Sequence, residues 1–409
     1  MDYQPLLSRI DQSRASLLSL LEEWAMINSG STHREGLATM ARQLTQTFHP
    51  LGGTAELIEA APLQIVTSGG ATQHQTAGQI LRIRKRPAAD RQVLLVGHMD
   101  TVFPADDLFQ TCTDLGDGRL QGPGVADMKG GLLVMFAALR AFEASPVADR
   151  IGWEVLINGD EETGSFGSAH LIAESATRAH VGLGFEPSLP DGTLVGARKG
   201  SGNFTLVVRG RSAHAGREPH LGRNAITAAA RLTLELDALN GGRPGLTVNM
   251  GKVEGGGALN VVPDLAILRL NVRMQEPADQ NWFQARLDHL VTNANRQDGI
   301  QVTLHGRFSR PPKAMTPGLR QLLDLVQDCG RDLGLSLSDQ PTGGCCDGNN
   351  MAATGLPTVD TLGVRGAHIH SAEEYMIKDS LTERAKLTAL ILLKLASGAS
   401  PFPERERPS

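Results

Sequence analysis

Three short apolar runs, Val93 to Val96, Trp153 to Ile157 and Val181 to Phe185, each stop at residues that ligate metals. His98 and Asp100 follow the first in "GHMDTV", Glu161 and Glu162 follow the second in "NGDEETGSFGS", and Glu186 follows the third in "GFEPS". Asp127 in "GPGVADMKGG" and His370 in "HIHSAEEY" extend the series. Apolar β-like runs alternating with stretches of helical spacing predict a mostly parallel sheet covered on both faces. Such sheets bind ligands beyond the carboxyl ends of their strands, so the acids are expected to converge at one sheet edge.

Singly, these residues have ordinary explanations. His98 fits a hydrogen-bonded histidine at a strand end, Asp127 an N-cap, and Glu161 with Glu162 a solvated loop. Together they do not, because burying several acids side by side without a cation costs several kcal/mol in desolvation and repulsion. Imidazole with carboxylate oxygen suits Zn²⁺, with Co²⁺ or Mn²⁺ as substitutes. Two ions about 3.5 to 4 Å apart need one bridging carboxylate and two further ligands each, a count the series can fill. Asp100, two residues after His98, is placed to accept the second ring N–H of that histidine, or alternatively to make an Asx-turn.

The length of 409 residues exceeds one ordinary core and predicts two domains. A net charge of -5 and a pI near 6.2, with scattered Lys and Arg, exclude a nucleic-acid footprint. Cys112, Cys329, Cys345 and Cys346 lack disulfide-framework spacing and predict reduced thiols. Arg9, Asp11 and Arg14 interrupt the N-terminal stretch before it reaches signal-peptide or membrane-spanning length, so a cytoplasmic protein without membrane partners is expected.

Leu17 to Trp24 and Leu37 to Phe48 carry helical spacing on either side of Ser29-Gly30-Ser31, predicting two opening helices. Runs at Ile80 to Ile83, Thr193 to Val195 and Thr358 to Leu362 add strands to the first pattern, and Met128 to Ala144, Leu319 to Leu333 and Leu381 to Leu395 add helices. Between about Gly200 and Pro312 the order becomes βαββαβ, the split pattern of a small four-stranded ferredoxin-like sheet with helices on one face. The expected organisation is an α/β domain in two parts, 1–199 and 313–409, with an α+β domain inserted at 200–312.

These motifs resemble the co-catalytic zinc family of aminoacylases, carboxypeptidases, deacetylases and desuccinylases, over nearly the whole chain. "DEETGSFGS", "GFEPS", "RKGSGNF", "RSAHAG" and "HSAEEY" are similar to glutamate carboxypeptidases of the carboxypeptidase G type. The resemblance implies that His98, Glu162, Glu186 and His370 complete two zinc shells around a bridging Asp127, and that Glu161 is the general base. It implies a cis peptide after Asp127. It also implies that His214, otherwise an ordinary surface histidine, reaches the active site of a neighbouring subunit, so that the inserted domain forms a homodimer and acts as a lid. Arg273, by itself an unremarked strand-end charge, and Asn260 match positions that grip the substrate's free carboxylate, and Lys199 with the turn containing Gly348 would complete the pocket. Cys345 and Cys346 depart from the Gly-Thr of the G type, and His370 rather than His368 matches the ligand position.

The implied activity is release of a C-terminal amino acid from a small peptide, with glutamate the candidate that the resemblance to the G type offers. Alternatives are an N-acyl amino acid deacylase and a non-catalytic member that binds metal or peptide.

Overall fold

The computed structural model describes residues 2–406. Its centre is a six-stranded sheet in the order Thr54–Glu59, Gln79–Lys85, Gly152–Asn158, Gln92–His98, Val181–Gly184, Thr358–Val359. The last four strands are parallel, and the first two join by antiparallel pairing at one edge. The mainly parallel α/β reading therefore holds. The apolar pattern misses the edge strand Thr54–Glu59 because none of its side chains is buried.

Alternation along Gln92–His98 divides the core. Val93 and Leu95 pack with the helices Lys129–Glu143 and Ser380–Ser397, while Leu94 and Val96 pack with Ala169–Arg178 and Asp347–Ala352. Thirteen residues of Lys129–Glu143 are buried, as its nearly unbroken apolar sequence requires of a helix enclosed on all sides.

Three helices open the chain rather than two: Gln4–Gln12, Arg14–Ala25 and Arg34–Phe48. Pro5 suits a first helical turn, and Leu7 and Ile10 are buried while Arg9 and Asp11 remain exposed. The run expected at Thr193 to Val195 forms Leu194–Arg198, which leaves the central sheet and pairs with Asp339–Thr342 in a separate parallel ribbon.

The second unit is an antiparallel sheet ordered Thr247–Gly255, Leu265–Met274, Gly200–Arg209, Gln301–Arg310. Phe204, Leu206 and Val208 point into its own core with Ala225–Asp237 and Pro277–Asn295. Ser201, Asn203 and Thr205 consequently point to the opposite, polar face. A hairpin of Leu63–Val66 and Thr72–Gln75 reaches across from the first unit. Arg269 Nη2 donates to the carbonyl of Val66 at 2.7 Å, and Arg209 Nη2 to that of Gly70 at 3.0 Å.

A further small sheet positions the His370 loop. Tyr375–Ile377 pairs with both Gly366–Ala367 and Arg119–Gln121, carrying the loop between them to the segment that holds Asp127. Among the described residues, no helix is long and apolar enough to cross a membrane.

Candidate metal centre

His98 is the last residue of its strand and is 1 % exposed. Its Nδ1 lies 3.0 Å from the backbone carbonyl of Asp100 and 3.4 Å from the Asp100 carboxylate. The carbonyl is thus the nearer acceptor, and the carboxylate has other partners. It accepts the N–H groups of Glu161 and Glu162 at 3.2 and 3.1 Å and the Ser31 hydroxyl at 2.7 Å. Asp100 therefore fixes the turn that aims the two adjacent glutamates in different directions.

Asp127 is held by Glu374, in "HSAEEY", to which no local sequence pattern assigns a role. The buried carboxylate of Glu374 accepts the N–H groups of Gly124, Ala126 and Asp127 at 3.1, 2.9 and 3.0 Å. The Asp127-Met128 peptide is cis. Asp127 directs Oδ1 to His98 Nε2 and Oδ2 to His370 Nε2, both at 3.2 Å. His98 Nε2 lies 3.9 Å from Glu186, and His370 Nε2 lies 3.2 Å from Glu162. One carboxylate thus stands between two His/Glu pairs. His368 instead turns outward toward Glu373, 4.0 Å away.

The electrostatics are those of crowded, buried acids. Burial and repulsion from Asp127 push Glu162 up to about 7, and the same two causes push Glu374 up to about 7. Burial likewise raises Glu161 and Glu186, although Arg310 opposes it at the first and His98 at the second. Burial acts to lower His98, but its bonds to Asp100, Asp127 and Glu186 hold it well above the usual imidazole range. Hydrogen bonds to Asp127 and Glu162 raise His370 to about 10. Without a cation, the cluster retains protons that these groups ordinarily release by neutral pH.

The donor set fits divalent metal. Ligand atoms of His98, Asp127 and Glu162 lie within 4.8 Å of one another, as do those of His98, Glu161 and Glu186. Oε1 of Glu162 is buried without any hydrogen-bond partner, an arrangement that a coordinated cation would satisfy.

Arg310, which no sequence motif marks, ends the strand Gln301–Arg310 and is buried against Glu161. Its Nη2 lies 2.6 Å from the Glu161 carboxylate and also donates to the Glu161 carbonyl at 2.7 Å and to Ser165 Oγ at 2.9 Å. Ser165 donates in turn to Asp347 at 2.5 Å.

The remaining candidates have other hydrogen-bond partners, although Gly348 lines a small cavity together with Glu186. His214 and Asn260 are exposed neighbours on the second unit, where the Asn260 carbonyl accepts from the N–H of Ala215 at 2.9 Å. Arg273 donates to Asn271 Oδ1 at 2.9 Å and to Cys345 Sγ at 2.7 Å. Lys199 Nζ donates to the carbonyl of Gly245 at 2.6 Å. Gly348 belongs to the helix Asp347–Ala352, not to a turn, because Cys346 caps that helix through Sγ and Asn349 returns the bond. It is buried, and a Cβ there would come 2.1 Å from the Asp360 carboxylate.

The family model described as Peptidase family M20/M25/M40 matches residues 94–394, which include the whole cluster. The chain belongs to this family. Carboxypeptidase G2 from Pseudomonas sp. (strain RS-16) is 28% identical over 388 residues, covering 94% of this chain and 90% of that protein. Succinyl-diaminopimelate desuccinylase from Acidovorax ebreus is 28% identical over 350 residues, covering 81% and 86%. An M20 family metallo-carboxypeptidase structure from Sulfolobus solfataricus shares the fold with a TM-score of 0.71 at 18% identity, over 92% and 98% of the two chains. This M20 chain is an enzyme, a metallopeptidase or amidohydrolase, and its cluster of histidines and acids can bind metal.

Proposed function

We propose that this M20 enzyme is a two-zinc exopeptidase that releases a C-terminal amino acid, glutamate among the candidates, from a peptide. The observation that carries the reading is Asp127, whose two oxygens face separate His/Glu pairs, with Glu161 directly beside them. His98 and Glu186 would hold one ion, Glu162 and His370 the other, and Asp127 both; Co²⁺ or Mn²⁺ can replace zinc. Such ions supply the Lewis acidity that polarises an amide carbonyl and makes water a nucleophile near neutral pH.

Glu161 accepts the proton of the attacking water and delivers it to the leaving amine. Arg310 fixes the Glu161 carboxylate for that transfer. Arg273, with Asn260, Lys199 and the backbone around Gly348, receives the free carboxylate, for which a planar guanidinium is suited. The name of the desuccinylase relative favours a second reading, an N-acyl amino acid deacylase with the same machinery. Free thiols at all four cysteines support a reducing, cytoplasmic setting. Zinc-loaded protein incubated with N-acetyl, N-succinyl and peptidyl forms of one amino acid tests the proposal: release from none of them overturns it.

Arg310→Ala is expected to lower kcat by about tenfold to a hundredfold with little change in KM or metal content, and Arg310→Lys to recover part of the loss. Steady-state kinetics with metal analysis check this. A kcat close to wild type in Arg310→Ala would remove Arg310 from the reaction.

His214 is assigned to the active site of a second copy in a homodimer formed through the inserted domain, where it stabilises the oxyanion, a donor's task worth about 3 to 4 kcal/mol. Glu161→Gln and His214→Ala proteins, each inactive alone, should then regain about a quarter of wild-type activity when their subunits are exchanged, because one site of each mixed dimer is complete. No recovery despite proven exchange would place His214 in its own subunit's site or outside both.

A further inference from the structure

The polar face of the small sheet carries a ladder, and the proposed reaction uses only its first rung. That rung sets Ser201 between Arg273 and Arg310. The second sets Asn203 between Asn271 and Arg307, and the third sets Thr205 between Arg269 and His305. The first two rungs are joined on one face: Asn271 Nδ2 donates to Ser201 Oγ at 3.0 Å and to Asn203 Oδ1 at 2.7 Å. Along Gly200–Arg209 and Leu265–Met274 successive rungs are two residues apart, about 6.6 to 6.8 Å, which is also the repeat of same-side groups in an extended peptide, while a bulge in Gln301–Arg310 sets Arg310 and Arg307 three apart.

The hairpin roofs the far rungs, tied down by the Arg269 and Arg209 bonds to its backbone. Between hairpin and sheet lies a cavity of about 420 Å³. Its wall approaches the metal centre through Thr163, next in sequence to Glu162, and Ser31, which bonds Asp100. Its size is that of pockets enclosing a whole small ligand. An acetyl group would fill only a small part of it.

We propose that this cavity binds the peptidyl part of the substrate in extended form, so that the enzyme prefers peptides with at least two residues on the acyl side of the cleaved bond over N-acetyl or N-succinyl amino acids. The proposal rests on the amide-hydrolase reading and chooses between its two substrate classes. Gln64 and Asn203 offer side-chain amides that both donate and accept, as peptide groups require. Arg307, held over the Phe166 ring with 5.4 Å to its centroid, adds donors for carbonyl oxygens. Leu63 and Phe166 supply an apolar surface for side chains.

Two substitutions fill the cavity from opposite walls, Gln64→Trp on the hairpin and Thr205→Phe on the sheet. Wild-type kcat/KM should be about tenfold or more higher for a tripeptide than for the N-acetyl form of the same C-terminal amino acid, and the ratio should fall to within about twofold in both variants. Calorimetric binding of the same two compounds to the Glu161→Gln protein, with and without Gln64→Trp, should show the same preference and the same loss. A wild-type ratio near one, or a ratio untouched in both variants while circular dichroism shows them folded, overturns the pocket. If neither compound is cleaved but the tripeptide binds more tightly and Gln64→Trp abolishes that advantage, the pocket stands and the hydrolase reading falls; if neither is cleaved and both bind alike, both fall.

Discussion

Replacing Glu161 with Gln is expected to leave two equivalents of metal bound and to lower kcat by about 10² to 10⁴-fold, the usual range for removing a positioned general base. Glutamine matches the size of glutamate, and its side-chain carbonyl can still accept from Arg310, which now lies 2.6 Å from the carboxylate. The turn is also preserved, because Asp100 holds it through the main-chain N–H groups of Glu161 and Glu162 rather than through their side chains. Loss should therefore fall on proton transfer and leave KM almost unchanged. Metal analysis beside steady-state kinetics separates the outcomes. A wild-type rate would exclude Glu161 as the base. Loss of one metal equivalent would make it a ligand, a role open to it because its carboxylate lies within 4.8 Å of ligand atoms of His98 and Glu186.

The distribution of what the sequence reveals follows from how each residue acts. His98, Glu162 and Glu186 could be read because each follows a short apolar run whose period and length mark a buried parallel strand, and such strands deliver their ends to one edge. The second core is built differently, with Phe204, Leu206 and Val208 at alternate positions of an antiparallel strand. Arg310 and Glu374 escaped because neither belongs to a local pattern. Each acts on a residue far away in the chain, Arg310 on Glu161 and Glu374 on the backbone at Asp127, and only the tertiary fold makes those neighbours. The hairpin at Leu63–Val66 escaped for a different reason: its strands are short and largely exposed, so they leave no apolar alternation to detect. Two residues of spacing put the Asp100 carboxylate 3.4 Å from the imidazole Nδ1, while the backbone carbonyl lies nearer at 3.0 Å and the carboxylate also braces the glutamate turn, a second task that spacing alone does not reveal.

Chelation is expected to abolish turnover and to destabilise the protein more at pH 8 than at pH 5.5. In the metal-free cluster Glu162 and Glu374 titrate near 7, above the ordinary carboxylate value, so between about pH 4.5 and 7 the folded chain binds more protons than the unfolded one. His370, raised to about 10, extends that excess upward from about pH 6.5. More protons bound in the folded state means that stability falls as pH rises from about pH 4.5 to 8, above which buried Lys129, lowered to about 8, opposes His370. Asp127, held low by the two histidines, acts in the opposite sense, but only below the ordinary aspartate range. Metal binding requires the same ligands deprotonated, so its stabilisation grows over the interval in which the metal-free protein weakens. At metal concentrations about a hundredfold above Kd the gain is about 2.7 kcal/mol, which corresponds to a Tm difference of about 3 to 5 °C for a chain of this size. Differential scanning calorimetry of chelated and zinc-loaded protein at the two pH values checks this, with Asp127→Ala as the variant that should erase the difference. Equal Tm values with and without metal at pH 8 would mean that these side chains hold no ion.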